Sequence, residues 1–136
     1  MPDWNQQIID EFRANDGTVE TMGFGRGLVL VHHRGAKTGT ERVTPLAALP
    51  TDDGAWLIAA SKAGAPDNPD WYHNLRAYPE VTVEAPGEGV IEVRARVLES
   101  DERDAAWARF TAASEGFRSY QEKTTRVIPV VELSRR

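Results

Sequence analysis

Hydrophobic and polar positions change their spacing several times along this chain. Over residues 3 to 15, Trp4, Ile8, Ile9 and Phe12 recur at helical intervals behind Asp3 as a cap, which predicts a short amphipathic helix. The Gly-rich stretch NDGTVETMGFGRG predicts an irregular lead-in. From Gly27 the pattern turns to strands, GLVLVHH, ERVTPLAAL and AWLIAA, separated by a basic loop and the turn-like TDDG, and predicts an antiparallel meander. The loop SKAGAPDNP then leads to a short helix, PDWYHNLRA. Asn68 is its expected N-cap, Pro69 its first residue and Asp70 the acid facing its positive end, and Tyr78 before Pro79 ends it.

Two further strands, EVTVEA and VIEVRARVL, are joined by PGEG. In the second, Ile91, Val93, Ala95 and Val97 alternate with Glu92, Arg94 and Arg96, so one face is expected buried and the other wet. SDERDAAWARFTAAS predicts a helix capped by Ser100, with Trp107 and Phe110 on one face. EGFRSYQEKTT reads as a polar connection and RVIPVVEL as a last strand, which Pro129 assigns to an edge or a bulge. About six mainly antiparallel strands with helices inserted between them predict a closed or half-closed β-barrel. The expected organisation is one domain over 1–136, with residues 1–26 as helix and lead-in and residues 27–136 as barrel core.

Composition narrows the function. A chain of 136 residues can bury roughly two thirds of its unfolded surface and fold without crosslinks. It contains no Cys, which excludes disulfides, thiol nucleophiles and Cys-ligated metal, and no other ligand set for a metal emerges. A net charge of -5 argues against nucleic acid as a partner. No apolar run reaches bilayer-spanning length, and MPDWNQQIIDEF lacks the basic region and apolar core of a secretory signal. The expected location is the cytoplasm, with a peripheral membrane contact through the first helix left open.

Against that acidic background the loop RGAKTGTERVTPL is locally basic, through Arg34, Lys37 and Arg42. It is not a nucleoside triphosphate loop, because Ala36 separates Gly35 from Lys37 and Pro45 pushes Thr44 into extended geometry where a helix would have to begin. GFGRG precedes a strand rather than following one, so a dinucleotide fold is not indicated either. Adjacent on a strand, His32 and His33 point to opposite faces and cannot share one site. His73, in the short helix, suits structural hydrogen bonding better than general-base duty. The basic hairpin, the loop with Lys62, Ala63, Gly64 and Ala65, and the helix carrying Trp71, Asn74 and Arg76 together outline a site for an anionic, aromatic ligand. Read as structure alone, they are a solvated tip, turn chemistry and a core anchor.

GAKTGTERVTPL, followed by AASKAGAPDNPDWYHNLRAYPEVTVE and closing with TRVIPVVE, resembles the deazaflavin-dependent nitroreductase family, from about Leu28 to Glu132. That resemblance implies an α+β split β-barrel of the FMN-binding, pyridoxamine-phosphate-oxidase-like type and coenzyme F420 as cofactor, with FMN ranking behind it. It assigns Lys37, Thr38, Gly39 and Arg42 to the cofactor's phosphate and oligoglutamate tail. Thr44, Pro45, Leu46 and the loop Ser61, Lys62, Ala63, Gly64 and Ala65 would pack along the deazaflavin ring, with Trp71 and Asn74 on the helix that closes the site.

The implied reaction is hydride transfer from the reduced deazaflavin to a small electron-poor acceptor: a quinone, a nitro-aromatic or an activated alkene. Some members carry Tyr on the second strand where this chain has Ala47 or Ala48, and a Tyr-rich late segment where it has Phe117 and Tyr120. Ala47, Phe117 and Tyr120 are therefore expected at the acceptor pocket, with Tyr120 as the acceptor-side hydroxyl and nitroimidazoles disfavoured as substrates. The alternative is a non-catalytic split-barrel carrier of F420, FMN, haem or fatty acid. The sequence carries no signal for the oligomeric state.

Overall fold

The computed structural model describes residues 4–21, 24–61, 68–113, 115–125 and 127–136. Helix α1 (Trp4–Ala14) forms where the helical spacing predicts it, and it buries Ile8, Ile9 and Phe12 against Val19, Leu28 and Leu30. Arg13 fastens its end to the sheet, donating to both oxygens of Glu84 at 3.1 and 2.7 Å. Ile8, Ile9 and Phe12 are thus covered by the helix's own domain.

Strand β1 (Leu28–Arg34) is buried on both faces, which explains its unbroken LVLV run. Leu28 and Leu30 lie under α1, while Val29 and Val31 belong to the main core on the other side. The expected second strand is interrupted at Ala48, giving β2 (Glu41–Ala47) and the short β3 (Leu49–Pro50). After β4 (Trp56–Ala59) comes α2 (Asp70–Ala77), then β5 (Glu80–Ala85), β6 (Gly89–Val97), α3 (Ser100–Ala113), α4 (Glu115–Glu122) and β7 (Val130–Arg135).

All pairings are antiparallel, and the sheet runs β2-β1-β5-β6-β7-β4-β3. Its edge strands, β2 and β3, are neighbours in the chain with only Ala48 between them. A flat sheet would hold those edges roughly 29 Å apart, six spacings of about 4.8 Å. Two residues of chain reach only about 7 Å. The sheet must therefore curl until its edges meet, and the Ala48 amide fixes the corner by donating to the Gly27 carbonyl at 2.9 Å. The result is a split β-barrel whose seam lies beside Ala48.

Three details depart from the sequence reading. The cap of α2 is Pro69 in extended geometry with no side-chain cap bond, so the helix starts one residue later than expected and Asn68 does not cap it. EGFRSYQE is a helix, α4, held by the ring of Phe117 set edge-on to Phe110 at 5.0 Å and to Trp107 at 6.0 Å. β7 is an interior strand between β6 and β4, and Pro129 stands just ahead of it, where its missing amide costs no ladder bond and its carbonyl accepts from Ala60.

Candidate functional site

The basic hairpin joining β1 to β2 is a compact turn. Gly35 and Thr40 close it at 2.9 Å, and the Gly39 amide donates to the Gly35 carbonyl at 2.8 Å. A Cβ at Gly35 would lie 2.6 Å from the Thr38 hydroxyl, which would have to turn away, and Gly39, with φ +71°, sits in the left-handed region that favours glycine. Among the described residues, the amides of Lys37 and Thr38 donate to nothing, and Arg42 makes no ion pair. Two free amides beside two cations are a fitting receptor for a phosphate or carboxylate. The cleft they border has a volume of about 300 Å³, and the start of α2 supplies its far wall through Asp70, His73 and Asn74.

The hairpin is tied to α2 through buried polar contacts. The Ala36 amide donates to Asn74 Oδ1 at 2.8 Å, the Asn74 amide nitrogen lies 3.0 Å from His33 Nδ1, and His33 Nε2 lies 2.8 Å from Thr44 Oγ1. His33 is only 4% exposed, and burial, reinforced by the Arg42 charge, pushes its pKa down to about 4. It is neutral at physiological pH. His32, on the opposite face, bonds Glu84 at 2.7 Å, so the two histidines serve different sites.

A second, larger pocket of about 610 Å³ opens at the barrel seam. Pro45, Leu46 and Ala47 with Ser61 form one wall, and Phe110, Phe117 and Tyr120 of the α3–α4 pair form the other. Strand β2 connects the two cavities. Arg42, Thr44 and Leu46 share one of its faces, since their β1 partners His33, Val31 and Val29 alternate inward. Four residues of strand span about 13 Å from Arg42 to Leu46. The two cavities lie along one strand at a spacing that suits a long ligand with an anionic end and a flat apolar end.

Most of the expected site residues fall into these two groups. Lys37, Thr38, Arg42 and Asn74 border the hairpin cleft, and Pro45, Leu46, Ala47, Ser61, Phe117 and Tyr120 border the seam pocket. Gly39 shapes the hairpin, and Thr44 lies between the cavities. The Trp71 indole, on the helix expected to close the site, belongs to the buried core with Leu75 and Val81, as its reading as a core anchor has it. Lys62, Ala63, Gly64 and Ala65 lie outside the described residues. Sequence reasoning gave no site role to His33 or to Phe110. The signal for His33 was the inward period Val29, Val31, His33, which carries a polar ring to the end of a buried face.

The family model described as F420H(2)-dependent quinone reductase matches residues 4–134. An F420H(2)-dependent quinone reductase of Mycobacterium tuberculosis is 40% identical over 111 residues, covering 79% of this chain and 73% of the relative. Among solved structures, an F420-H2 dependent reductase, FDR-A, shares 38% identity over 80% of this chain and 95% of its own, with a TM-score of 0.72. A chain described as a domain-swapped dimer shares 34% identity over 97% of this chain and 98% of its own, with a TM-score of 0.74.

Proposed function

The chain belongs to the F420H(2)-dependent quinone reductase family, and from that premise we propose that it reduces a quinone with reduced F420 bound along β2. One observation carries this reading: a single strand joins a cationic, amide-lined cleft to an apolar pocket at the barrel seam. Lys37, Arg42 and the free amides of Lys37 and Thr38 would bind the anionic part of the cofactor, while Thr44, Pro45 and Leu46 orient its ring. When bound, the reduced deazaflavin supplies a hydride.

The chain's own residues set the conditions for that transfer. Phe110, Phe117 and the wall from Pro45 to Ala47 keep water from the reacting atoms. The Tyr120 hydroxyl donates a hydrogen bond to the charge that develops on the acceptor oxygen. With Ala47 in place of a larger side chain, the pocket also has room for other small electron-poor acceptors such as activated alkenes. In this reading residues 1–136 form one domain, acting in the cytoplasm. No described helix is long and apolar enough to cross a membrane.

The test is a fluorescence titration of the protein with F420, FMN and FAD, followed by oxidation of reduced F420 with a soluble quinone. Selective F420 binding is expected, weakened roughly ten- to hundredfold by Lys37→Ala, because a charge-assisted hydrogen bond contributes about 1.5 to 3 kcal/mol. Preference for FMN would refute the cofactor assignment. Tight F420 binding without quinone-dependent oxidation would turn the protein into a carrier.

A further inference from the structure

The direction of every proton between the hairpin and β2 follows from one group. The Ala36 amide can only donate, and it donates to Asn74 at 2.8 Å, so the side-chain oxygen faces the hairpin and the NH2 faces His33. At 3.0 Å from that NH2, His33 Nδ1 must accept, and it therefore carries no proton. A neutral imidazole then keeps its proton on Nε2, which lies 2.8 Å from the Thr44 hydroxyl oxygen. The ring donates and the hydroxyl accepts. One lone pair of Thr44 is filled in this way, its own proton is turned elsewhere, and among the described residues nothing accepts it.

Thr44 is half-buried midway along the β2 face, between Arg42 and Leu46, about 7 Å from each. We propose that the Ala36, Asn74 and His33 relay sets the Thr44 hydroxyl as a hydrogen-bond donor into the track, so that this position selects an accepting oxygen of the bound cofactor, a carbonyl or a phosphate. Thr44 touches the cofactor, and His33 and Asn74 are positioning residues. The relay also reports on the hairpin: if the Ala36 amide moves, the amide of Asn74 is released and the direction of the Thr44 proton is lost. This inference rests on the F420 reading above.

A double-mutant cycle read by titration with oxidised F420 tests it. Thr44→Val removes the hydroxyl at nearly constant shape and should weaken binding about three- to tenfold, the equivalent of one hydrogen bond, while Thr44→Ser stays close to wild type. His33→Leu should weaken binding similarly, and the double variant should bind no worse than Thr44→Val alone, because His33 acts through Thr44. Losses that multiply in the double variant would overturn the relay and leave His33 as packing. Wild-type protein that binds no F420 would overturn the cofactor reading itself. A second measurement needs neither variant nor ligand: nitrogen-15 shifts of His33 in the free protein should show the Nε2-protonated tautomer, and an Nδ1-protonated ring would refute the assignment.

Discussion

At the hairpin end of β2, Gly35, Lys37, Thr38, Gly39 and Arg42 come from one short run of chain, folded by its own backbone hydrogen bonds and tied to α2 through Asn74. At the seam end, Pro45 to Ala47 acquire a site only when Phe110, Phe117 and Tyr120 arrive from α3 and α4. The polar half is mostly local in sequence, with α2 supplying its far wall. The apolar half is a product of tertiary packing. Anchoring of the cofactor and choice of acceptor should therefore respond separately to mutation.

The largest effect is expected at the packed end. Phe110 is 1% exposed and its ring meets those of Trp107 and Phe117, so Phe110→Ala should lower stability by about 3 to 5 kcal/mol. Chemical unfolding measures this, and the folded fraction should still bind F420 at its hairpin. An equal collapse of F420 affinity would show that the two ends are not separable. Arg42→Ala is the converse: F420 affinity should fall roughly ten- to hundredfold while stability shifts by less than about 0.5 kcal/mol. Wild-type affinity should also decline with added salt, and more steeply than that of the variant.

Acid should act on the polar half through His33. Its folded pKa, near 4, lies below the ordinary histidine value of 6.5, so the unfolded chain binds more protons between those two pH values. The stability that its neutral form contributes is intact above pH 6.5 and is lost as pH falls toward 4, at up to about 1.4 kcal/mol per unit. Melting of His33→Gln should show a shallower decline over the same interval. An unchanged slope would remove His33 from the acid response. Smallest of all, Tyr120→Phe should lower kcat/KM for a quinone about three- to tenfold, with F420 binding unaffected.

The same contrast explains what could be read from the chain without coordinates. The hairpin was legible because turn glycines, cations and the proline that forces β2 to extend lie next to one another. The burial of β1 on both faces shows only in the structure, whereas the wet and dry faces of β6 were also legible, from periodicity. Helix α4 was not. EGFRSYQE offers only Phe117 and Tyr120 as apolar positions, and it becomes a helix because Phe117 finds Phe110 and Trp107. The split of β2 from β3 was equally hidden, since Ala48 marks no break by its residue type, and only closure of the barrel requires a corner there. Pro129 misled in the other direction: a residue barred from a ladder looks like an edge, yet here it ends one step before an interior strand.

The interior position of β7 also sets an order of assembly. Among the described residues β4 pairs only with β3 and β7, and β7 bridges it to β6, so the β3–β4 hairpin has no berth in the sheet until residues 130–135 have docked. During synthesis the hairpin proposed to hold the cofactor's anionic end can form early from local contacts, while the seam waits for residues 130–135 to emerge. A nascent chain halted before β7 would hold the hairpin cleft proposed for the cofactor's charged end and lack the closed seam. Reductase competence is therefore acquired last, as the late strand slides between its two partners and closes the barrel.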